Sequence, residues 1–155
     1  MTHKLDRTDL RILDALQTEG RISNVELAER LNLSPTPVAR RWRRLEREGY
    51  LTGYSARIDA ARVGLTVTSY VSVRLRANDW RTASAFEDGV KTLPNVIECC
   101  VVSGSSDYLL RVVAASLEDY EQFLKRELAG LEAVASIDST IVLSQVIERT
   151  ELPLG

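Results

Sequence analysis

The stretch SPTPVARRWRRLERE, Ser34 to Glu48, holds five arginines between Arg40 and Arg47. At about 100° per helical residue, Val38, Trp42 and Leu45 fall on one face. Arg40, Arg43, Arg44 and Arg47 spread over the opposite face, and Arg41 flanks the apolar stripe. The planar guanidinium fork binds a phosphate, or the O6 and N7 of guanine, at two points at once. A solvated helical face carries the same charges, so the neighbouring elements must decide between the two readings. Elsewhere the chemistry is thin. The single histidine, His3, sits in the N-terminal segment, and no nucleophile–base pairing or metal-ligand spacing occurs. Cys99 and Cys100 are adjacent, which suits neither a disulfide framework nor a metal site, and they read as small apolar strand residues in a reducing compartment. No catalytic group, metal or cofactor is expected.

Charge and composition narrow the partners. Apolar residues make up 45% and charged residues 27%, the balance of a folded globular chain rather than a disordered one. Residues 1–60 carry 11 Lys+Arg against 9 Asp+Glu, a balance of +2, whereas residues 61–155 carry 9 against 13, a balance of −4. A polyanion would therefore meet the N-terminal part. No apolar run approaches the roughly 18 residues that cross a bilayer, and MTHKLDRTD lacks the apolar core of a signal peptide. The expected location is cytoplasmic and nucleoid-associated, with no membrane partner.

The elements around the arginines read as three helices. In LDRTDLRILDALQTEG, Asp6 caps, Leu10, Ile12, Leu13 and Leu16 form the apolar stripe, and Gly20 lies just past the end. In RISNVELAERLNL, Ser23 and Glu26 form a capping box, and Asn32, which tolerates the left-handed region, stops a short second helix. Ser34 then caps a third helix with Pro35 and Pro37 in its first turn, where no intrahelical acceptor exists for their missing N–H. A short capped helix, a tight turn and an arginine-faced helix make a helix-turn-helix, whose second helix enters the major groove. Double-stranded DNA is the partner, with Ser34, Thr36, Arg40, Arg41, Arg43, Arg44 and Arg47 as candidate contacts. YLTGYSARID follows as a small wing or connecting strand.

Residues 61–155 alternate in another pattern. Val67, Val71, Val73 and Leu75 mark a strand; Ala83, Phe86, Val90 and Leu93 a helix; NVIECCVVSGSSDYLLRVVAA a hairpin turning at Gly104–Asp107. LEDYEQFLKREL is a second helix and SIDSTIVLSQVIE a last strand. The order β-α-β-β-α-β predicts a ferredoxin-like antiparallel sheet with both helices on one face, and the fold class is α+β. Both alternating sets of the hairpin strands are substantially apolar: Val96, Cys100 and Val102 against Ile97, Cys99 and Val101, then Leu110 and Val112 against Leu109 and Val113. The uncovered face therefore calls for a partner, most economically a second subunit. The expected domains are 1–60, DNA-binding, and 61–155, oligomerising.

Over its full length the sequence resembles the leucine-responsive regulator/AsnC (feast/famine) family of prokaryotic transcription factors. The carrying segments are LDRTDLRILDALQTEGRISNVELAERLNLSPTPVARRWRRLEREGYLTGY and IECCVVSGSSDYLL, the second with the Gly-x-x-Asp-Tyr pattern in its hairpin. The resemblance implies a winged helix-turn-helix, an amino-acid-sensing ferredoxin-like domain, homodimers and often tetramers of dimers. It also implies that Gly104, Ser106, Asp107, Tyr108 and Thr140 are effector positions. Gly104 permits close approach to a ligand and Asp107 an acceptor for an ammonium group, although both are also good hairpin residues. Ser106 stands where the family often has an aromatic residue, and Trp42 where a smaller aliphatic is usual. The expected function is a sequence-specific transcription regulator tuned by a small effector, an amino acid or close relative. An architectural DNA-compacting protein and a haem-precursor decarboxylase of similar architecture are the alternatives.

Overall fold

The computed structural model describes residues 4–154; His3 lies outside them. The chain forms two compact units, one running to Arg57 and resumed from Ile147 on, the other spanning Ile58–Val146.

Three helices build the first unit: α1 (Arg7–Thr18), α2 (Asn24–Leu31) and α3 (Pro35–Arg47). The first two begin where a side chain can replace the missing helical acceptor. Asp6 and Asp9 cap α1 reciprocally, Asp9 N donating to Asp6 Oδ1 at 2.9 Å and Asp6 N to Asp9 Oδ2 at 3.1 Å. Ser23 and Glu26 do the same for α2. Asn32 ends α2 at φ 56°, ψ 50°, so the turn into α3 is set by one residue that accepts the left-handed region. Ser34 makes no side-chain cap bond, and the proline at the first turn of α3 starts the helix instead. Ile12, Leu27, Val38 and Leu45 are fully buried in the shared core.

Two expectations change here. Residues 52–59 form no strand: Tyr50 N and Leu51 N are tied back to Leu45 O at 3.0 and 3.3 Å, and the unit offers no second strand to pair with. Tyr54 instead turns toward α3, accepting from Trp42 Nε1 at 2.5 Å and donating to Glu46 Oε1 at 2.9 Å. The large indole thus finds a hydrogen-bond partner at the edge of the core. Second, the chain from Ile147 on groups with the helices. Gln17 clamps Leu152 through both main-chain groups, at 2.8 Å each, Arg57 holds Glu151 at 3.4 Å, and Leu154 packs on the helical core.

The second unit is a four-stranded antiparallel sheet in the order β2-β3-β1-β4. Its strands are β1 (Val67–Leu75), β2 (Val96–Val101), β3 (Tyr108–Ala114) and β4 (Val134–Ile141). Helix α4 (Trp80–Val90) and helix α5 (Leu117–Gln122), which continues as a π-helical turn over Phe123–Leu128, supply the core side chains Phe86, Val90, Tyr120, Phe123 and Leu128. From the strands come Val71, Val73, Leu110 and Val112, the alternation the sequence expects. Ser69, buried among them, is satisfied by the Tyr120 hydroxyl at 2.7 Å and by Thr140 O at 3.1 Å.

The opposite face differs from the reading of two apolar sets. A register shift between Val96 and Glu98 changes the phase of β2, so Val96 lies opposite Val112 while Glu98 lies opposite Arg111. The outward face is then mixed: Tyr70, Leu109, Val113 and Cys100 beside Thr68, Ser72, Arg74, Glu98, Arg111, Asp138 and Thr140. β2 is an edge strand, with Ile97 and Val101 exposed. Phe86 is the largest fully buried side chain and touches Tyr108 at 4.5 Å between ring centroids. Phe86→Ala is expected to destabilise the second unit by about 3–5 kcal/mol, measured by denaturant unfolding.

Candidate nucleic-acid interface and effector loop

The arginines of α3 occupy two environments. Arg40, Arg43 and Arg47 are exposed, with Ser34 and Thr36 exposed at the same helix's start. Among the described residues neither Arg40 nor Arg43 forms an ion pair, and Arg47 has only Glu48 at 3.8 Å. Arg44, expected on the outer face, turns toward α1 instead. Its Nη2 lies 2.5 Å from Asp9 Oδ2, and its side chain is 20% exposed. Arg41 Nη1 reaches Asp9 Oδ1 at 2.8 Å and Asp6 Oδ2 at 2.6 Å.

A single carboxylate therefore receives two guanidinium groups, one on each oxygen, and its side chain is only 1% exposed. The reason is rotational: on α3, positions 41 and 44 flank the apolar stripe on the side where α1 packs. Hydrogen bonding to Asp9 N, followed by Arg41, lowers the Asp6 carboxyl below its usual range, and Asp6 and then Asp9 raise Arg41. An open cleft of about 460 Å³ is lined by Asp6, Arg40, Arg41, Arg44 and Arg47. Sequence reasoning missed Asp9. Asp6 was legible as a cap, but nothing in the spacing of Asp9 announced arginines some thirty residues away.

The hairpin residues divide in the same manner. Gly104 takes φ 131°, a conformation that favours glycine, with open space around it. Asp107 N donates to Val73 O at 2.9 Å, while Asp107 Oδ2 accepts from Leu75 N at 2.7 Å, just where β1 shifts register against β4. One carboxylate oxygen is thus spent on fixing the loop to the end of β1. Tyr108 is buried, on the helix side of β3, and its hydroxyl donates to Glu87 Oε1 on α4 at 2.8 Å. Ser106 is half-buried in the loop. Thr140 is exposed on the outward face opposite Tyr70. Tyr70 is five residues from Leu75, about 16 Å along the strand at 3.3 Å per residue, so one chain does not bring Thr140 and the loop together.

Other chemistry stays sparse. Cys99 and Cys100 are free and exposed; burial and then Cys100 push the Cys99 thiol up, and desolvation and then Glu98 push up that of Cys100. Among the described residues no cluster of three or more His, Cys, Asp and Glu is placed to hold a metal, and no helix is long and apolar enough to cross a membrane.

Comparison with known proteins matches both units. Residues 5–52 match a family model described as winged helix-turn-helix DNA-binding, and residues 68–152 match one described as the Lrp/AsnC ligand-binding domain. A Bkd operon transcriptional regulator of Pseudomonas aeruginosa is 41% identical over 97% of this chain and 99% of its own. A proline dehydrogenase transcriptional activator of Rhodobacter capsulatus is 38% identical over 96% of this chain and 97% of its own. Among solved structures, a Neisseria meningitidis transcriptional regulator in complex with L-Met is 34% identical, covers 97% of both chains and superposes with a TM-score of 0.94.

Tyr108 gives the loop's packing a spectroscopic handle. Burial first, then the hydrogen bond to Glu87, pushes its phenol up to about 12. A raised folded-state value means that the associated stability is complete below the unfolded value near 10 and is lost as pH climbs toward 12. At 1.36 kcal/mol per pH unit the loss is at most about 3 kcal/mol. Glu87→Gln is expected to move the Tyr108 titration partway back toward 10, read as the ultraviolet difference against Tyr108→Phe.

Proposed function

The chain belongs to the Lrp/AsnC family of transcriptional regulators, and we propose from that premise that it reads duplex DNA with the exposed face of α3 and tunes the contact with an amino acid. Arg40, Arg43 and Arg47 meet phosphates and guanine edges, with Ser34 and Thr36 at the helix start contacting the backbone. The observation that carries this reading is an exposed cationic face on the second helix of a helix-turn-helix, where Arg40 and Arg43 have no ion-pair partner among the described residues. The formal charge of the whole chain is −2, so the attraction is local to this surface. Such a protein works in the cytoplasm, where its DNA is.

The second unit joins two copies. The outward sheet face, with Tyr70, Leu109 and Val113 apolar among polar neighbours, suits an interface more than bare solvent, and dimers assemble further into tetramers of dimers. A symmetric dimer presents two α3 helices to half-sites about 34 Å, or a multiple of that, apart. The effector is an amino acid, in keeping with the L-Met held by the Neisseria relative. Gly104, Ser106, Asp107 and Tyr108 shape one wall, in which loop amides meet the carboxylate and the remaining oxygen of Asp107 meets the ammonium. Thr140 joins from a different copy, because within one chain it is too far along the sheet.

Arg43→Ala is expected to weaken operator binding by about 1–3 kcal/mol while the dimer persists in size-exclusion chromatography. Footprinting decides the mode: a discrete protected site supports a local regulator, whereas coating in proportion to concentration overturns it in favour of compaction. For the effector, a thermal-shift screen of the amino acids should show one or a few raising the melting temperature, since a ligand of the native state stabilises it. A flat screen removes the amino acid and leaves DNA binding standing.

A further inference from the structure

The five arginines of α3 carry equal formal charge, yet their electrostatic settings differ. Arg41 and Arg44 face two carboxylates, Asp6 and Asp9, so two positive charges stand against two negative ones. Arg40 and Arg43 face none among the described residues, and Arg47 has only its exposed neighbour Glu48. Asp9 is the unusual member. Its residue is 0% exposed, it sits in the first turn of α1, and each of its oxygens is taken by a different guanidinium. A buried carboxylate tolerates that position only while paired; drawing one arginine toward a phosphate leaves one of its two oxygens without its cation in an apolar core. Asp6, half-exposed at the cleft beside the same arginines, adds a second negative charge that repels an approaching phosphate.

The lock also answers a mechanical need. Only Val38 and Leu45 of α3 are fully buried, and its N-cap makes no side-chain bond. Two apolar anchors seven residues apart fix the depth of a helix better than its roll about its own axis. Side-chain bonds from positions 41 and 44 to a residue of α1 fix the roll, and with it the direction in which residues 40, 43 and 47 point.

Resting on the DNA-binding reading above, we propose that Asp9 is the positioning residue of the DNA-reading helix: its carboxylate retains Arg41 and Arg44 within the protein and leaves duplex contact to Arg40, Arg43 and Arg47. Asp9 itself touches no DNA.

Each phosphate neutralised releases counterions, so the slope of log K against log[salt] counts the arginines that reach the backbone, at about −0.9 per contact. The experiment titrates the full chain against a duplex selected from random sequence by the wild-type protein, and against an unselected duplex. Arg43→Gln should flatten the slope by about 0.9 for each α3 engaged. Arg41→Gln and Arg44→Gln should lower affinity for the selected duplex at an unchanged slope. Asp9→Asn should steepen the slope, because Arg44 loses its only carboxylate and Arg41 keeps Asp6 alone, while the ratio of selected to unselected affinity falls. A purely structural lesion lowers the active fraction without steepening the slope. Arg44→Gln flattening the slope as Arg43→Gln does overturns the proposal and leaves DNA binding by α3 intact; no change in slope for either Arg40→Gln or Arg43→Gln instead overturns the DNA-facing surface itself. Should Asp9→Asn not fold, the Arg41→Gln and Arg44→Gln slopes decide alone, since each leaves Asp9 one guanidinium.

Discussion

A carboxylate buried between two helices has to be paired, and in the first unit that requirement organises everything around it. Asp9 is placed by the cap it shares with Asp6, which fixes the first turn of α1. Being placed, it demands cations, and α3 supplies them at positions 41 and 44, on the flank that apolar packing of Val38 and Leu45 turns toward α1. The exposed arginines then inherit their direction from a contact on the flank of the same helix. Preorganisation of this kind is what separates a cationic surface that reads DNA from one that merely attracts it.

Arginine suits both tasks for the same chemical reason and with opposite results. Arg41 bridges two carboxylates from a single Nη1, at 2.6 and 2.8 Å, in the fixed plane of its guanidinium. Arg40 and Arg43 keep the same fork open to solvent. Composition counts these residues alike, and a helical wheel separates Arg44 from Arg40 by only about 40°. Position 44 falls on the far side of that small angle, which is why the wheel put Arg44 on the outer face and the structure does not.

What was legible in the sequence was local. The Asp6 cap, the capping pair Ser23/Glu26, the left-handed Asn32, the proline start of α3 and the hairpin glycine each depend on residues within four positions of one another, and each appears as read. The features that escaped depend on distant partners. Residues 52–59 have strand-like composition but no strand beside them, and Tyr54 goes to Trp42 instead. The β2 register shift reassigns its faces without any glycine or proline to announce it. The segment from Ile147 on has no periodicity, and its attachment draws on Gln17, Arg57 and the packing of Leu154, all contacts with distant parts of the chain. Of the candidate DNA contacts, five kept their exposure and two became partners of Asp9. Of the candidate effector residues, the loop is formed, but Asp107 is half committed to β1, Tyr108 is buried against α4, and Thr140 stands apart.

The two arginine sets respond differently to their surroundings, and this difference protects the reading surface. Attraction between exposed arginines and a polyanion is screened over about 8 Å at physiological ionic strength, so added salt releases DNA. The Asp9 pairs lie almost out of solvent, at contact distance, where screening is weak. On the proposed assignment of DNA contact to α3, raising the salt detaches the duplex without loosening that helix. An arginine face held only by its own solvation would lack that separation, because the conditions that weaken DNA binding would also leave the helix's roll undetermined.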